Sequence, residues 1–369
     1  YIDSITFSGQ RADTSYGRRL QDDSAWQFFP VPTPGEANAE RDILPVPAVS
    51  HAGGIYSGAI TVAISADSDT EIYFTLDGTE PRREARFLYD RPIHLAETSV
   101  LRAKSFRGDS CSEIRTETFL IDEIFNLAVF SLTTDPKNLW GSSGIYDNRF
   151  EEWEKPVTIE YFTADGRLAM GTNAGMKIHG PGNMGQQSLR LYARSQYGAD
   201  VFCHKFFAEI DIDEFKRLVL RNGGNDCTNG GPAQTHLRDA IVHALYRQRN
   251  PDYPMSAYKP VHVYLNGQYW GIYNLRERQD RFYIESHFAH DDIDFLEYAA
   301  EEGEENQRQN AIAGDWTSFE ALIDYAQKND LSMNRHYDYI ESQIDIANLC
   351  EYWIFETTVC NYDWPFHNQ

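Results

Sequence analysis

An Asn-Gly pair at positions 266–267 stands between two runs of aromatic and β-branched residues, Val261-His-Val-Tyr-Leu265 and Tyr269-Trp-Gly-Ile-Tyr-Asn-Leu-Arg-Glu277. Asn and Gly accept a left-handed backbone at least cost, so the pair is a strong signal for a two-residue hairpin. The second half of the chain therefore contains at least one antiparallel pair of strands. Further strand candidates are Val157–Phe162, Ala174–His179, Ser188–Arg194, Arg217–Arg221, Pro260–Leu265 and Trp270–Leu275. Helical spacing appears over Arg238–Arg249, with apolar residues 241, 242, 244 and 245 on one face, and over Trp316–Ala326. It appears again after Asp345, a suitable cap, where Ile346, Leu349, Cys350, Trp353 and Ile354 recur. From Leu127 onward the pattern is α+β. Glu301–Asn310 is acidic and aperiodic and reads as a solvated loop.

The length of 369 residues predicts two or three domains. Lys and Arg number 33 against 56 Asp and Glu, a net charge of −23. Nucleic acid is held by cations that release its counterions, so no nucleic-acid partner is expected. Anionic membrane surfaces are disfavoured on the same ground. No apolar run approaches the ~20 residues of a spanning helix, so no membrane span is expected. The chain opens on Tyr1–Phe7, which alternates like a strand, without a basic-flanked apolar leader. Any signal peptide has been removed or lies upstream, and the chain reads as part of something longer. Five cysteines (Cys111, Cys203, Cys227, Cys350, Cys360) include no C-x-x-C pair, which leaves zinc and thioredoxin-like chemistry unsupported. One or two disulfides with an odd thiol stay open.

Residues 1–38 read as the end of a small β domain. Ser15-Tyr-Gly-Arg18 and Ala25-Trp-Gln-Phe-Phe29 flank a polar turn, and the proline-rich run from Pro32 to Asn38 stops the sheet. Residues 39–52, with Pro45 and Pro47, read as a linker. Residues 53–122 hold short strands at Gly58–Ile64, Glu71–Thr75, Arg91–Leu95 and Val100–Ser105, a spacing that argues a β-sandwich. The run Tyr73-Phe-Thr-Leu-Asp-Gly-Thr-Glu-Pro81, with Tyr89, Pro92-Ile93 and Leu101-Arg-Ala-Lys104, resembles the immunoglobulin-like C-terminal domain of chitobiase and β-hexosaminidase. The opening Asp13-Thr-Ser-Tyr-Gly-Arg18, Trp26 and Thr33-Pro-Gly-Glu-Ala-Asn38 resembles the closing half of a lamin-tail domain. Both resemblances imply carbohydrate or cell-surface contact, or a spacer that positions its neighbour.

Three constellations carry chemistry. Gly180-Pro-Gly-Asn-Met-Gly185 fits G-x-G-x-x-G but lies between strands, where kinases cover nucleotide phosphates with backbone; the same residues also suit a plain hairpin turn. Asp363 and Asn368 are five apart, the Asp-to-Asn interval of a kinase catalytic loop, although such pairs also arise by chance. Glu277 ends the second hairpin strand, either at a kinase-like hinge or as an exposed terminal Glu. Other groupings rate lower. His287 and His290, followed by Asp291-Asp292, lack a third ligand in view. His236 and His243 are seven apart and share a helix face, without an acid beside them. No G-x-S-x-G exists, and nothing pairs two carboxylates across a sugar cleft.

In this order, Gly175–Arg194 with Ser188-Leu-Arg-Leu-Tyr-Ala-Arg194, Leu220-Arg-Asn-Gly-Gly-Asn225, Leu237-Arg-Asp239, Asn266-Gly-Gln-Tyr-Trp-Gly-Ile-Tyr273 and Asp363-Trp-Pro-Phe-His-Asn368 resemble the CotH kinase family. The resemblance runs from Leu127 to residue 369. It implies β-sandwich (immunoglobulin-like) modules followed by an α+β atypical protein-kinase-like domain. It further implies ATP- and Mg²⁺- or Mn²⁺-dependent phosphoryl transfer to Ser or Thr of a surface or secreted protein. By position, Asp363 is the catalytic Asp, Asn368 a metal ligand, and Gly180, Gly182, Gly185, Arg190, Arg238 and Glu277 face nucleotide. The glycine turn and Asp363 are then expected to converge on one cleft. A second metal-binding Asp is expected beyond residue 369, so this piece should transfer little phosphate. The implied setting is secreted, cell-surface or periplasmic, with an unidentified protein acceptor. Two positions depart from the family pattern: Asn183-Met184 stand where an Arg is usual, and Gln187 where a Lys is usual. A neutral amide cannot neutralise phosphate, so Gln187 favours the alternative of a non-catalytic surface, carbohydrate-binding or structural protein on a kinase-like fold. The Asp363/Asn368 pair favours the enzyme.

Overall fold

The computed structural model describes residues 15–19, 22–29, 44–180, 186–226, 235–250, 255–290, 292–299, 308–361 and 364. The chain divides into two units, Tyr1–Arg238 with Ala257–Glu277, and Asp239–Ser256 with Arg278–Gln369. No helix among the described residues is long and apolar enough to cross a membrane.

The first unit opens on β1 (Ser15–Arg19) paired with β2 (Asp22–Phe29), the hairpin expected there; Tyr1–Phe7 lies outside the described residues. Next come β3 (Ala48–Val49), β4 (Gly54–Tyr56), β5 (Ile60–Val62), β6 (Ile64–Ser65), β7 (Glu71–Thr75), β8 (Ile93–Leu95), β9 (Ser99–Arg107), β10 (Ser110–Cys111) and β11 (Arg115–Ile121). Strands β7, β10, β9, β11 and β4 form one sheet, while β3–β6 and β5–β8 are separate antiparallel pairs. Val62, Ile64 and Leu95 from the pairs join Ile72, Leu101, Ala103, Phe119 and Ile121 from the sheet in a single buried cluster. One correction concerns the linker. Leu44 is buried and bridges Ser112, and β3 pairs with β6, so the residues from Leu44 to Val49 belong to this β module.

Seven strands then close a barrel in the order β12 (Ala128–Thr133), β13 (Lys155–Phe162), β14 (Leu168–His179), β15 (Ser188–Tyr192), β18 (Arg217–Arg221), β20 (Gln268–Glu277) and β19 (Tyr258–Leu265). The short pair β16 (Phe202–Cys203) and β17 (Glu214–Phe215) lies between β15 and β18 in sequence. Closure comes from β12, antiparallel to β13 and parallel to β19, with Ala128 opposite Val261 and Leu132 opposite Leu265. Phe130, Leu132, Ile159, Met176, Leu189, Leu218, Val263 and Leu275 fill the core. Asn266 and Gly267 turn β19 into β20 with φ +50° and +78°, the left-handed pair that the Asn-Gly signal specifies.

The β module rests on the barrel wall, where Leu120, Val129, Phe162 and Tyr264 are buried together. Both faces of β11 and β12 are therefore covered, and neither strand alternates in sequence. That is why β11 escaped the alternation pattern.

The second unit carries most of the helical structure. Helix α1 (Arg238–Arg249) has the bounds expected, but Ile241 and Leu245 are about half exposed at 50% and 49%. Its covered face instead presents Ala240 and Tyr246, the latter edge-on to Phe355 at 4.9 Å. Asp239 stands 3.7 Å from His243 on the same helix, so an acid does stand beside that histidine, and His236 lies before the helix. Helices α2 (Arg281–Phe288), capped by Asp280, and α4 (Asn334–Gln343) were not evident in the sequence. Helix α3 (Thr317–Lys328) and helix α5 (Ile346–Thr358) were, the latter capped by Asp345 through Asn348 N–H at 2.9 Å. Strand β21 (Phe295–Ala299) pairs with β22 (Arg308–Ala313), so the expected loop Glu301–Asn310 ends in strand from Arg308.

The junction of β module and barrel also buries two carboxyl groups. Thr118 of β11 donates its N–H to Glu160 Oε1 at 3.1 Å and its hydroxyl to Glu160 Oε2, and that hydroxyl lies 2.7 Å from Ser131 Oγ. Glu117 accepts from Gly53 N–H and from Arg115. A Cβ on Gly53 would stand 2.8 Å from Glu160 Oε1 and 2.9 Å from Glu117 Oε2, so both acids crowd one glycine. Burial first pushes Glu160 up to about 7 from 4.5; the Thr118 hydrogen bonds oppose this, and Glu117 adds to it. A raised acid favours the folded state when protonated. Its contribution is present below pH 4.5 and is lost as the pH climbs to about 7. That loss is about 3 kcal/mol, less than the apolar burial of Leu120, Val129, Phe162 and Tyr264 at roughly 1.5–3 kcal/mol each, so docking holds. Glu160→Gln keeps the acceptor for Thr118 N–H and supplies a donor to its hydroxyl. Urea melts should place it about 2–3 kcal/mol above the parent at pH 8 and level with it at pH 4. Parallel pH profiles for the two proteins would refute the linkage.

Candidate functional site

Strands β14 and β15 pair from Gly175–Tyr192 to His179–Ser188, and the glycine turn joins them. Gly180 leaves β14 with φ +66° and open space where a Cβ would stand. Gly182 and Gly185 lie outside the described residues. The exit of the turn is fixed from two sides. Gln186 donates its side-chain N–H to Ile272 O at 3.0 Å, lying over Gly271, where a Cβ would meet it at 2.8 Å. Tyr273 donates its hydroxyl to Gln187 O at 2.9 Å, and burial, followed by Tyr146, keeps that phenol protonated well above its ordinary range. Asn222 donates to Gln186 O, while its side-chain oxygen accepts from the Ser188 hydroxyl at 2.8 Å and from Gly224 N–H at 2.8 Å. Asn222 thus braces the turn, a role its place in Leu220-Arg-Asn-Gly-Gly-Asn225 did not disclose.

Side chains at 176, 178, 189 and 191 enter the barrel core, so Lys177 and Arg190 point to its outer face. They are directly opposite each other, and the same row continues through Val219 to Arg276. Arg190 donates Nε–H to His179 Nδ1 at 2.6 Å. Glu152 Oε2 lies against Lys177 Nζ and 3.8 Å from Arg190 Nη1. Two residues on, Glu154 clasps Arg194 with 2.9 Å bonds to Nε and Nη2. It lies across β14 where Gly175 has no side chain; a Cβ there would clash with Glu154. Lys177 and Glu152 were missed in the sequence. A hairpin centred on Gly180–Gly185 sets Lys177 opposite Ser188, two residues short of the Arg190 it faces, so its face was detectable and its partner was not.

Arg238 begins α1, with its side chain 63% exposed and Nε 3.5 Å from Asp226 Oδ1. Asp226 accepts from the N–H groups of Thr235, Leu237 and Arg238 at 2.7, 2.9 and 3.0 Å and from the Thr235 hydroxyl at 2.8 Å. It therefore satisfies donors at the start of α1 from twelve residues away. Asn274 ties the same segment to β20 by donating to His236 O at 2.9 Å. Glu277 is buried, shares the inward parity of Tyr273 and Leu275, and accepts from Ala257 N–H at 2.8 Å. Its carboxylate braces the start of β19 and does not share the face of Arg190. Asp363 and Asn368 lie outside the described residues, as does their expected convergence with the glycine turn. Among the described residues, no group of three or more His, Cys, Asp or Glu could hold a metal ion, His287 and His290 included.

Comparison with known families places these elements. Residues 51–116 match the chitobiase/β-hexosaminidase C-terminal domain, the β module from β4 into β11. Residues 178–369, just over half the chain, match the family described as CotH kinase protein. The chain belongs to the CotH kinase protein family, with a β-rich region ahead of its CotH domain. The matched span begins inside β14, so β12 and β13 complete the barrel from outside it. No curated protein matches the chain.

Asp226 carries a prediction. Burial alone would raise its pKa, but the hydrogen bonds from Thr235, Arg238 and Leu237 outweigh burial and hold it down at about 2. A depressed acid contributes stability above its ordinary 3.8 and loses it as pH falls toward 2. Asp226→Ala should cost about 2–4 kcal/mol at neutral pH, from a lost cap and charge-assisted bonds. Hydrogen exchange should quicken first in the opening turn of α1. Unchanged protection of those amides would show that Asp226 does not hold the helix.

Proposed function

We propose that this chain binds ATP with Mg²⁺ or Mn²⁺ and serves phosphoryl transfer to Ser or Thr hydroxyls of a surface or secreted protein. The observation that carries the reading is the glycine turn between antiparallel β14 and β15, flanked by Lys177 and Arg190, in a chain of the CotH kinase protein family. Strand–loop–strand glycine turns cover nucleotide phosphates with backbone N–H groups, and the phosphates require cations nearby. The described residues fit that tail through Lys177 and Arg190. Asp363 and Asn368 supply oxygen donors, the chemistry a hard divalent cation requires. In this reading Asp363 orients the acceptor hydroxyl and takes its proton, and Arg238 is a second phosphate-facing cation. Such transfer relies on positioning and charge neutralisation, without a covalent enzyme intermediate. The α+β part is read as an atypical kinase-like fold and residues 53–122 as an immunoglobulin-like sandwich. Residues 1–38 are read as the end of a lamin-tail-like module. The β modules would then provide surface or glycan contact in a secreted, cell-surface or periplasmic protein.

A second reading, a non-catalytic binding or structural protein, is favoured by Gln187. A ligand that binds the folded state alone adds about 2.7 kcal/mol at a hundredfold excess over its Kd. Millimolar ATP with Mg²⁺ or Mn²⁺ should therefore raise the melting temperature, and Asn368→Ala should shrink the metal-dependent part of that rise. No rise with either metal would sink the nucleotide reading. A rise with a glycan alone would select the second.

A further inference from the structure

Two like charges directly opposite on paired strands repel, and Lys177 and Arg190 are so placed. One carboxylate oxygen, Glu152 Oε2, faces both. Glu152 is more than half exposed, at 57% of its side chain, and has φ +53°, a left-handed backbone that a non-glycine residue adopts at a cost. Both cations are themselves largely covered, with side chains 15% and 19% exposed. The pair is thus a preformed anion seat on the hairpin that carries Gly180, in a chain whose net charge is −23. His179 aims the Arg190 guanidinium from the side through its Nδ1.

We propose that Lys177 and Arg190, oriented by His179, seat a phosphate group of a polyphosphate ligand, and that Glu152 is a built-in anion which that phosphate displaces. The proposal rests on the nucleotide reading only for the source of the phosphate. Geometry makes the exchange direct, because both anions bind the same two cations. Glu154 anchors the residues just before β13 separately on Arg194, above Gly175, so Glu152 can leave the cations while that segment stays in place.

The test is calorimetric titration of inorganic tripolyphosphate into the whole chain at low ionic strength, for the parent and Glu152→Gln, Lys177→Met, Arg190→Met and Lys137→Met. Removing the competitor should tighten binding roughly tenfold in Glu152→Gln, and removing either cation should weaken it by at least about as much. Lys137→Met, at a cation far along the chain in sequence and paired to Asp135, should bind like the parent. A gain in Glu152→Gln cannot arise from misfolding, so it stands even if a cation variant unfolds. Equal affinity in Glu152→Gln and parent overturns the proposal, as does an equal loss in Lys137→Met and Lys177→Met, the mark of diffuse charge attraction. Titration with ATP and Mg²⁺ separates the two claims. Tripolyphosphate behaving as stated without ATP binding keeps the seat and removes the nucleotide reading. ATP binding that is indifferent to Glu152 removes the seat and keeps that reading.

Discussion

Closure of the seven-stranded barrel by the parallel pairing of β12 with β19 is the constraint on which the first unit depends. Without it β12 would be an edge, and an edge strand whose both faces are apolar is an aggregation hazard. Pairing alone does not complete β12, because its second face needs cover as well. The β module supplies that cover through β11, setting Leu120 against Val129, Phe162 and Tyr264. The β module is therefore the outer cover of this part of the barrel wall, through β11 residues just past the matched span. This also explains two buried acids at a junction where apolar residues would be cheaper: Glu117 and Glu160 hold Gly53 N–H, Arg115 and Thr118 in one register, and a slip would strand a carboxyl group without partners.

The same closure sets the candidate site. Barrel strands send alternate side chains inward, so the residues that fill the core also decide which cations share the outer face. Leu189 and Leu191 inside put Arg190 outside; Met176 and Ile178 inside put Lys177 beside it. Asn222, Gln186, Gln187 and Tyr273 then fix where the glycine turn leaves the wall. Glu277 follows the inward parity and becomes a brace for Ala257.

Local signals in the sequence were legible where one residue dictates the backbone. Asn266-Gly267 gave the hairpin and Asp345 the start of α5, but the register of β19 on β20 shifts by one residue between Val263 and Tyr264, which the turn did not disclose. Strands with one wet face were equally readable. Legibility failed where burial removed alternation, as in β11, and where polar or aromatic residues rather than aliphatics cover a helix, as Tyr246 does in α1. Contacts between distant segments were also hidden: nothing in the sequence links Glu152 to Lys177, or Asp226 to the start of α1. Of the site residues read from motifs, Gly180 follows the end of β14 and Arg190 lies within β15 opposite Lys177, whereas Asp363, Asn368, Gly182 and Gly185 lie outside the described residues.

Gln187 bears on how a phosphate seat is built in this chain. Its position shares the parity of Leu189 and Leu191, and it is buried immediately before β15 with its carbonyl held by Tyr273. A lysine there would have to carry its ammonium out of the barrel end or bury a charge beside a phenol held protonated. Glutamine carries no such cost and leaves the wall intact. If phosphate binds at the turn, its cation must come from the outer face, and the residue that β14 places there is Lys177. The ion pair with Glu152 then has a physical reason: an exposed carboxylate offsets one of two facing positive charges, and a more highly charged anion can replace it at little cost.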